Sequence, residues 1–273
     1  MLVGSGSRAA AMGEAFTAVD GDAGAPYFNP ALAAGSQGTE FSLMHVAYLT
    51  DGAMEHVSVV TRSGELRLGL GIYLGQTRDI QRRGPDPSAE PLGTFDDHNF
   101  TLSAFWAHPV GQRIAVGNAI KWAYQKLDIE SASALAADLG ITYMVFPEMT
   151  VGASVRNLGT RPKFIDKAYD LPREFRVGAA YSPLVESRLR GVIISVDFII
   201  PHWGEKSSKF NFGGEYTYQN LVAIRTGYGI NYDTRGFSIG GGLKYRHYFF
   251  DYAYVPSTSE LNDTHRMTLR IQL

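Results

Sequence analysis

Along most of the chain, apolar and polar residues alternate one for one. In residues 65–75, Leu66, Leu68, Leu70, Ile72 and Leu74 share one side, and Arg67, Gly69, Gly71 and Tyr73 share the other. Successive side chains of a β-strand point to opposite faces, so this stretch reads as a strand with one oily side and one small or charged side. In residues 221–231, Val222, Ile224, Tyr228 and Ile230 oppose Ala223, Arg225, Gly227 and Gly229; residues 173–181 and 189–198 repeat the pattern. Fourteen such segments can be marked, near 40–49, 53–62, 65–75, 98–107, 112–125, 132–146, 148–157, 173–182, 189–200, 208–219, 221–231, 236–245, 247–254 and 264–273. The first two alternate poorly. Most connections are short, and the longer ones are 77–95, 159–171 and 202–207. The pattern predicts an all-β fold, an antiparallel up-and-down barrel of about fourteen strands with tight turns at one end and longer loops at the other.

The N-terminal stretch is of another kind. Residues 7–19 (SRAAAMGEAFTAV) are small and suit a short helix, and residues 21–30 (GDAGAPYFNP) are closely punctuated by turn formers. The chain therefore divides into an N-terminal segment, 1–38, and a barrel, 39–273.

Alternation alone fits a soluble barrel, oily side inward, as well as a membrane barrel, oily side outward. Aromatic residues gather toward segment ends, among them Trp106, Trp122, Tyr124, Tyr143, Phe146, Trp203, Tyr216, Tyr218, Tyr245, Tyr248, Tyr252 and Tyr254. Girdles at two lipid–water boundaries would place them so, which favours the membrane reading. On that reading Arg67, Lys121, Asp138, Arg156, Glu174, Arg176, Asp197, Glu215, Arg225, Lys244, Asp251, Arg266 and Arg270, all opposite the oily side, face a closed lumen. Their mixed sign favours a lattice of ion pairs over a same-sign channel track.

Composition adds limits. The balance of 25 Lys+Arg against 27 Asp+Glu gives no pull toward nucleic acid. Thirty glycines, fifteen tyrosines and fifteen phenylalanines suit β-structure with tight turns and aromatic rims, and the absence of cysteine excludes disulfides and thiolate metal sites. No run approaches the ~18 apolar residues of a membrane-spanning helix. Met1-Leu2-Val3 leads into GSGSRAAAMG without a cationic and then apolar leader, so a mature form with an added or retained Met is expected.

Two enzyme motifs occur without their context. Gly4 to Ala9 matches GxGxxA, but no strand–helix unit surrounds it, and Gly236 to Gly240 matches GxSxG, but Ser238 lies in an alternating strand. The seven histidines lack ligand spacing, and Asp96-Asp97-His98 reads as a solvated loop edge. No catalytic group, metal or cofactor is expected.

The segment SRAAAMGEAFTAVDGDAGAPYFNPALAA resembles the signature that opens the PorV/PorQ family, within the wider FadL-like group of outer-membrane barrels. Matching positions include Arg8, Met12-Gly13, Ala15-Phe16, Asp22, Tyr27 and Asn29-Pro30-Ala31; Gly117-Asn118, Asp138-Leu139-Gly140, Arg225-Thr226-Gly227 and Gly240-Gly241-Gly242 also look familial. The resemblance implies a fourteen-stranded barrel of the bacterial outer membrane, its N-terminal hatch folded inside the lumen. Arg8, Met12, Gly13, Phe16, Asn29 and Pro30 are the expected hatch residues, Pro30 fixing a bend. It further implies a docking or shuttle component of type IX protein secretion. Such a component would be bathed in outer-membrane lipid and would meet secreted cargo and other secretion components through its loops. The expected contact residues are Arg82, Arg83 and Asp86 in 77–95, and Phe164 and Tyr169 in 159–171. The alternatives are a FadL-like transporter of small hydrophobic molecules, which a lumen rich in Arg and Glu suits poorly as a greasy conduit, and a structural scaffold barrel.

Overall fold

A computed structural model describes residues 4–19, 21–48, 52–84, 90–164, 167–183, 191–201, 207–258 and 263–273. The alternating segments become strands β1 (Glu40–Tyr48), β2 (Gly52–Ser63), β3 (Leu66–Arg82), β4 (Gly93–Val110), β5 (Ile114–Leu127), β6 (Glu130–Phe146) and β7 (Met149–Gly159). After a small hairpin of β8 (Lys163–Phe164) and β9 (Lys167–Ala168) come β10 (Glu174–Tyr181), β11 (Val192–Pro201), β12 (Lys209–Tyr218), β13 (Val222–Ile230), β14 (Phe237–Tyr245), β15 (Tyr248–Val255) and β16 (Thr264–Gln272). Apart from the β8–β9 hairpin, each strand pairs antiparallel with its chain neighbours. β16 closes on β1, from Glu40 opposite Gln272 to Ala47 opposite His265, giving a closed barrel of fourteen strands with no free edge.

The oily sides point out. Leu70 (54 % exposed), Ile224 (62 %) and Leu243 (58 %) belong to a belt of exposed large apolar residues that runs around the barrel, while Arg67, Arg225 and Arg266 on the alternate positions are buried. A soluble monomer rarely exposes an apolar patch beyond a few hundred Å², so a belt on every wall needs hydrocarbon around it. Aromatics border the belt. Tyr143, Phe146, Tyr216, Tyr218, Tyr245 and Tyr248 stand toward the short-turn end, and Trp122, Tyr124, Tyr252 and Tyr254 toward the loop end. Trp203 lies outside the described residues.

The wall is uneven in height. β10 to β16 have 8–10 residues each, near the ~9–11 that cross a bilayer at a tilt, whereas β3, β4 and β6 have 17, 18 and 17. Here the expectation of a long loop at 77–95 is corrected. β3 continues to Arg82 and β4 begins at Gly93, their ladder resuming after a bulge beyond Thr77. The cause is continued pairing: Ile80, Gln81 and Arg82 meet Phe95, Thr94 and Gly93 above the lipid belt. Residues 202–206, within another expected loop, lie outside the described residues.

Residues 4–19 and 22–35 pack against the inner face of the barrel. A five-residue helix, α1 (Ser7–Ala11), and two 3-10 turns, Ala25–Tyr27 and Pro30–Gly35, are almost wholly buried. Met12, Phe16 and Phe28 pack into one apolar cluster with Val19 and Leu32. Asn29 caps the second turn through Ala31 N (3.1 Å), Pro30 follows at its first position, and Asn29 Nδ2 donates to the carbonyls of Thr17 (2.9 Å) and Ile141 (3.1 Å).

Candidate functional site

The segment sits close because the facing strands present glycine. A Cβ at Gly227 would lie 2.0 Å from Gly13 N, one at Gly140 1.9 Å from Asn29 Oδ1, and one at Gly117 2.4 Å from Pro30 C. Gly152 and Gly213 meet the carbonyls of Thr17 and Met12 in the same way. These inward glycines form a seat that any larger side chain would fill. Gly13 itself has φ +64°, and a Cβ there would meet the backbone of Phe212 and Tyr228 at 2.8 Å. Ser238, of the GxSxG match, accepts from Gly13 N and donates to the Ala11 carbonyl, both at 3.1 Å, so it is a clamp on the segment's backbone.

Charges complete the seat. Arg8 makes a bidentate pair with Glu215 (2.8 and 2.9 Å), which also takes Arg225; Arg225 continues to Asp251 (2.7 Å), and Asp251 to Arg270 (3.1 Å). Arg266 and Arg235 both reach Glu14, at 3.3 and 2.9 Å. On the other wall Asp197 accepts the N–H groups of Phe16 and Thr17, the Thr17 hydroxyl (2.6 Å) and Arg176 (2.9 Å); Glu174 joins Arg176 to Arg156, whose guanidinium lies over the Tyr27 ring at 4.1 Å. Lys121 pairs with Asp138 at 2.7 Å. A bulge explains that corner. Two β7 residues, Arg156 and left-handed Asn157, face Asp138 of β6, so both side chains enter the lumen.

Arg67 and Lys244, expected in this network, stand outside it. Arg67 donates to the carbonyls of Ser36 (2.6 Å) and Glu65, and Lys244 lies over the Phe249 ring at 5.0 Å. Both sit one residue from a strand end, beside turn carbonyls and away from the lumen carboxylates. Glu14, Thr17 and Arg235 carry no local signal in the sequence, whereas Gly117, Gly140, Gly213 and Gly227 fall on the inward period of their strands.

Above the segment, toward the loop end, the tall β3–β6 wall and the β7–β10 connection enclose a cavity of about 200 Å³. Tyr73, Met54, Ala123 and Ala134 line it from the strands, and Pro162, Tyr169, Leu171 and Pro172 from the connection. Leu171 is pinned against Ala134 and Ala136, and the Pro172 carbonyl accepts from Asn157 Nδ2 at 2.7 Å. Tyr27 and Tyr73, stacked with centroids 6.4 Å apart, stand between this cavity and a lower one of about 40 Å³ bordered by His56, Phe105, Lys121 and Asp138. The upper space can take a ring and the lower only water, since a dry cavity of ~150 Å³ accepts benzene.

The expected loop contacts fall around this mouth. Arg82 pairs with Asp128 and lies over Phe95 at 5.9 Å, Arg83 donates to Gln81 (2.7 Å), and Phe164 stacks on Tyr169 at 5.9 Å. Asp86 lies outside the described residues. Burial, and then the Asp97 carboxylate, raise the Tyr169 hydroxyl above its ordinary value. Among the described residues no group of three or more His, Asp or Glu is placed to hold a metal ion.

A closed fourteen-stranded antiparallel barrel, apolar on its outer face and with its N-terminal segment packed inside, defines a transmembrane β-barrel. Residues 1–186 match UPF0164, described as an uncharacterised protein family, and the chain belongs to that family. No curated protein matches it. Among solved structures it is similar to the toluene transporter TodX of Pseudomonas putida (TM-score 0.71, 14 % identity, 98 % of this chain and 96 % of that one). It is also similar to the CymD monoaromatic hydrocarbon channel (0.74, 13 %, 100 % and 98 %). A FadL homologue of Pseudomonas aeruginosa is a further match (0.67, 10 %, 100 % and 99 %).

Proposed function

We propose that this chain is an outer-membrane transporter that admits small, largely apolar molecules at its loop end. The observation that carries the reading is the roughly 200 Å³ cavity at the mouth, walled by tyrosine, leucine, methionine and proline and kept above the charged lattice. Its place removes the objection that an Arg- and Glu-rich lumen makes a poor greasy conduit, because the ligand space is separate from those charges. TodX and CymD, named for toluene and for monoaromatic hydrocarbons, share the fold. The space bordered by Tyr27 beneath the Tyr27–Tyr73 pair is about 40 Å³, so a ring passing that way requires Tyr73 or the N-terminal segment to shift. The docking role in type IX secretion implied by the PorV/PorQ resemblance draws no support from these relatives.

Toluene titrated into the full chain in detergent is expected to bind one per barrel, read by calorimetry. Leu171→Trp fills the cavity from the connection without touching the ladder, and it is expected to abolish binding. Failure of the wild-type chain to bind toluene, or unchanged binding by the variant, would contradict the proposal.

A further inference from the structure

The mouth cavity is not uniformly greasy. Asn99, Thr101 and Gln125 line one side of it. Asn99 Nδ2 donates to Asp97 Oδ2 at 2.6 Å, and Gln125 Nε2 to Asp97 Oδ1 at 3.0 Å. Both lining amides are thus oriented by one carboxylate, to which each gives an N–H. An amide that donates to a carboxylate is polarised, and its carbonyl oxygen becomes a stronger acceptor. The Tyr73 hydroxyl donates to Met54 Sδ at 3.7 Å.

The charge of Asp97 is not cancelled nearby. Among the described residues it meets no cation at ion-pair distance, while Arg82 pairs with Asp128, and Arg161 and Arg173 with Asp170. The polar side therefore offers acceptors and negative potential.

We infer that the preferred ligand is a single-ring molecule bearing a hydrogen-bond donor, a hydroxyl or amino group, directed at the Asn99–Gln125 side, with its ring against Tyr73, Tyr169 and Leu171. The inference rests on the transport reading and narrows it. A bare hydrocarbon would leave those acceptors without a partner, and a carboxylate of similar size would meet acceptors and a like charge. A site built to hydrogen-bond a donor rejects the analogue that lacks it far more strongly than an apolar pocket rejects one methylene.

Phenol, toluene and benzoate, titrated at neutral pH into the full chain in detergent, test this. Phenol is expected to bind at least about tenfold more tightly than toluene, and benzoate most weakly. Asp97→Asn keeps the shape but removes the charge. It is expected to bring phenol down toward toluene and benzoate up, with toluene affinity unchanged as the sign of an intact cavity. Equal binding of phenol and toluene by the wild-type chain, or an order unaltered by Asp97→Asn, overturns the inference and leaves the transport reading standing. Binding of none of the three overturns both.

Discussion

Asp197→Ala is expected to destabilise the protein by about 3–5 kcal/mol, because it breaks a buried ion pair by removing one partner. Asp197 is 1 % exposed and accepts from Phe16 N, Thr17 N, Thr17 Oγ1 and Arg176 Nη2. Without it, three donors of the N-terminal segment lose their acceptor, and Arg176, 3 % exposed, loses its Asp197 partner while keeping, among the described residues, Glu174, the Thr17 hydroxyl, the Glu14 carbonyl and the Phe28 ring. Water cannot enter cheaply, since the segment occupies the space. The double variant Asp197→Ala with Arg176→Met removes the stranded cation too, and is expected to recover part of the loss. Urea unfolding in micelles, followed by tyrosine fluorescence, measures both. A single variant as stable as the wild-type chain would show that the segment is not held through this carboxylate.

Deleting residues 4–36 is expected to turn a closed barrel into a steady pore in planar bilayers. The barrel ladder uses no residue before Glu40, so its closure survives. What remains inside is a wall whose lumen charges are Lys121, Arg156, Arg176, Arg225, Arg235, Arg266 and Arg270 against Glu40, Asp138, Glu174, Asp197, Glu215 and Asp251, seven basic to six acidic among the described residues. Removing Arg8, Glu14 and Asp22 with the segment strips more acid than base from the lumen, so the opened pore is expected to prefer chloride to potassium. The intact chain is expected to pass neither. Silence from a correctly inserted deletion variant, or cation preference, would contradict the arrangement of these charges.

Much of the barrel was legible because its physics is local. Period-two alternation in β3, β13 and β16 states both the strand and its oily side, and all fourteen marked segments pair as strands. The ends were less legible. The upper parts of β3 and β4 carry Arg78, Asp79, Arg82 and Asp96, polar on both sides because they rise out of the lipid, and so they read as loop. The seat was hidden for a different reason. Gly117, Gly140, Gly213 and Gly227 look like weak strand positions until the segment that fills them is known, and that segment lies far from each of them in the chain. At Gly117, Gly213 and Gly227 the wall meets backbone of the segment, and at Gly140 it meets the Asn29 and Pro30 side chains. The mouth cavity had no local signature at all. Asp97 resembles a solvated loop edge in sequence, and only the pairing of β4 with β5 sets it beside Gln125.

The placement of a lipid belt outside and a filled, polar lumen inside underlies all of this, and site-directed spin labelling tests it directly. The chain has no cysteine, so Leu70→Cys, Ile224→Cys and Ala123→Cys each offer one attachment point. In reconstituted bilayers the nitroxides at 70 and 224 are expected to collide freely with dissolved oxygen and hardly with an aqueous nickel complex, and the one at 123, inside the mouth, to show the opposite preference. Nickel access at 70 and 224, with oxygen dominating at 123, would mean that the wall is turned the other way round.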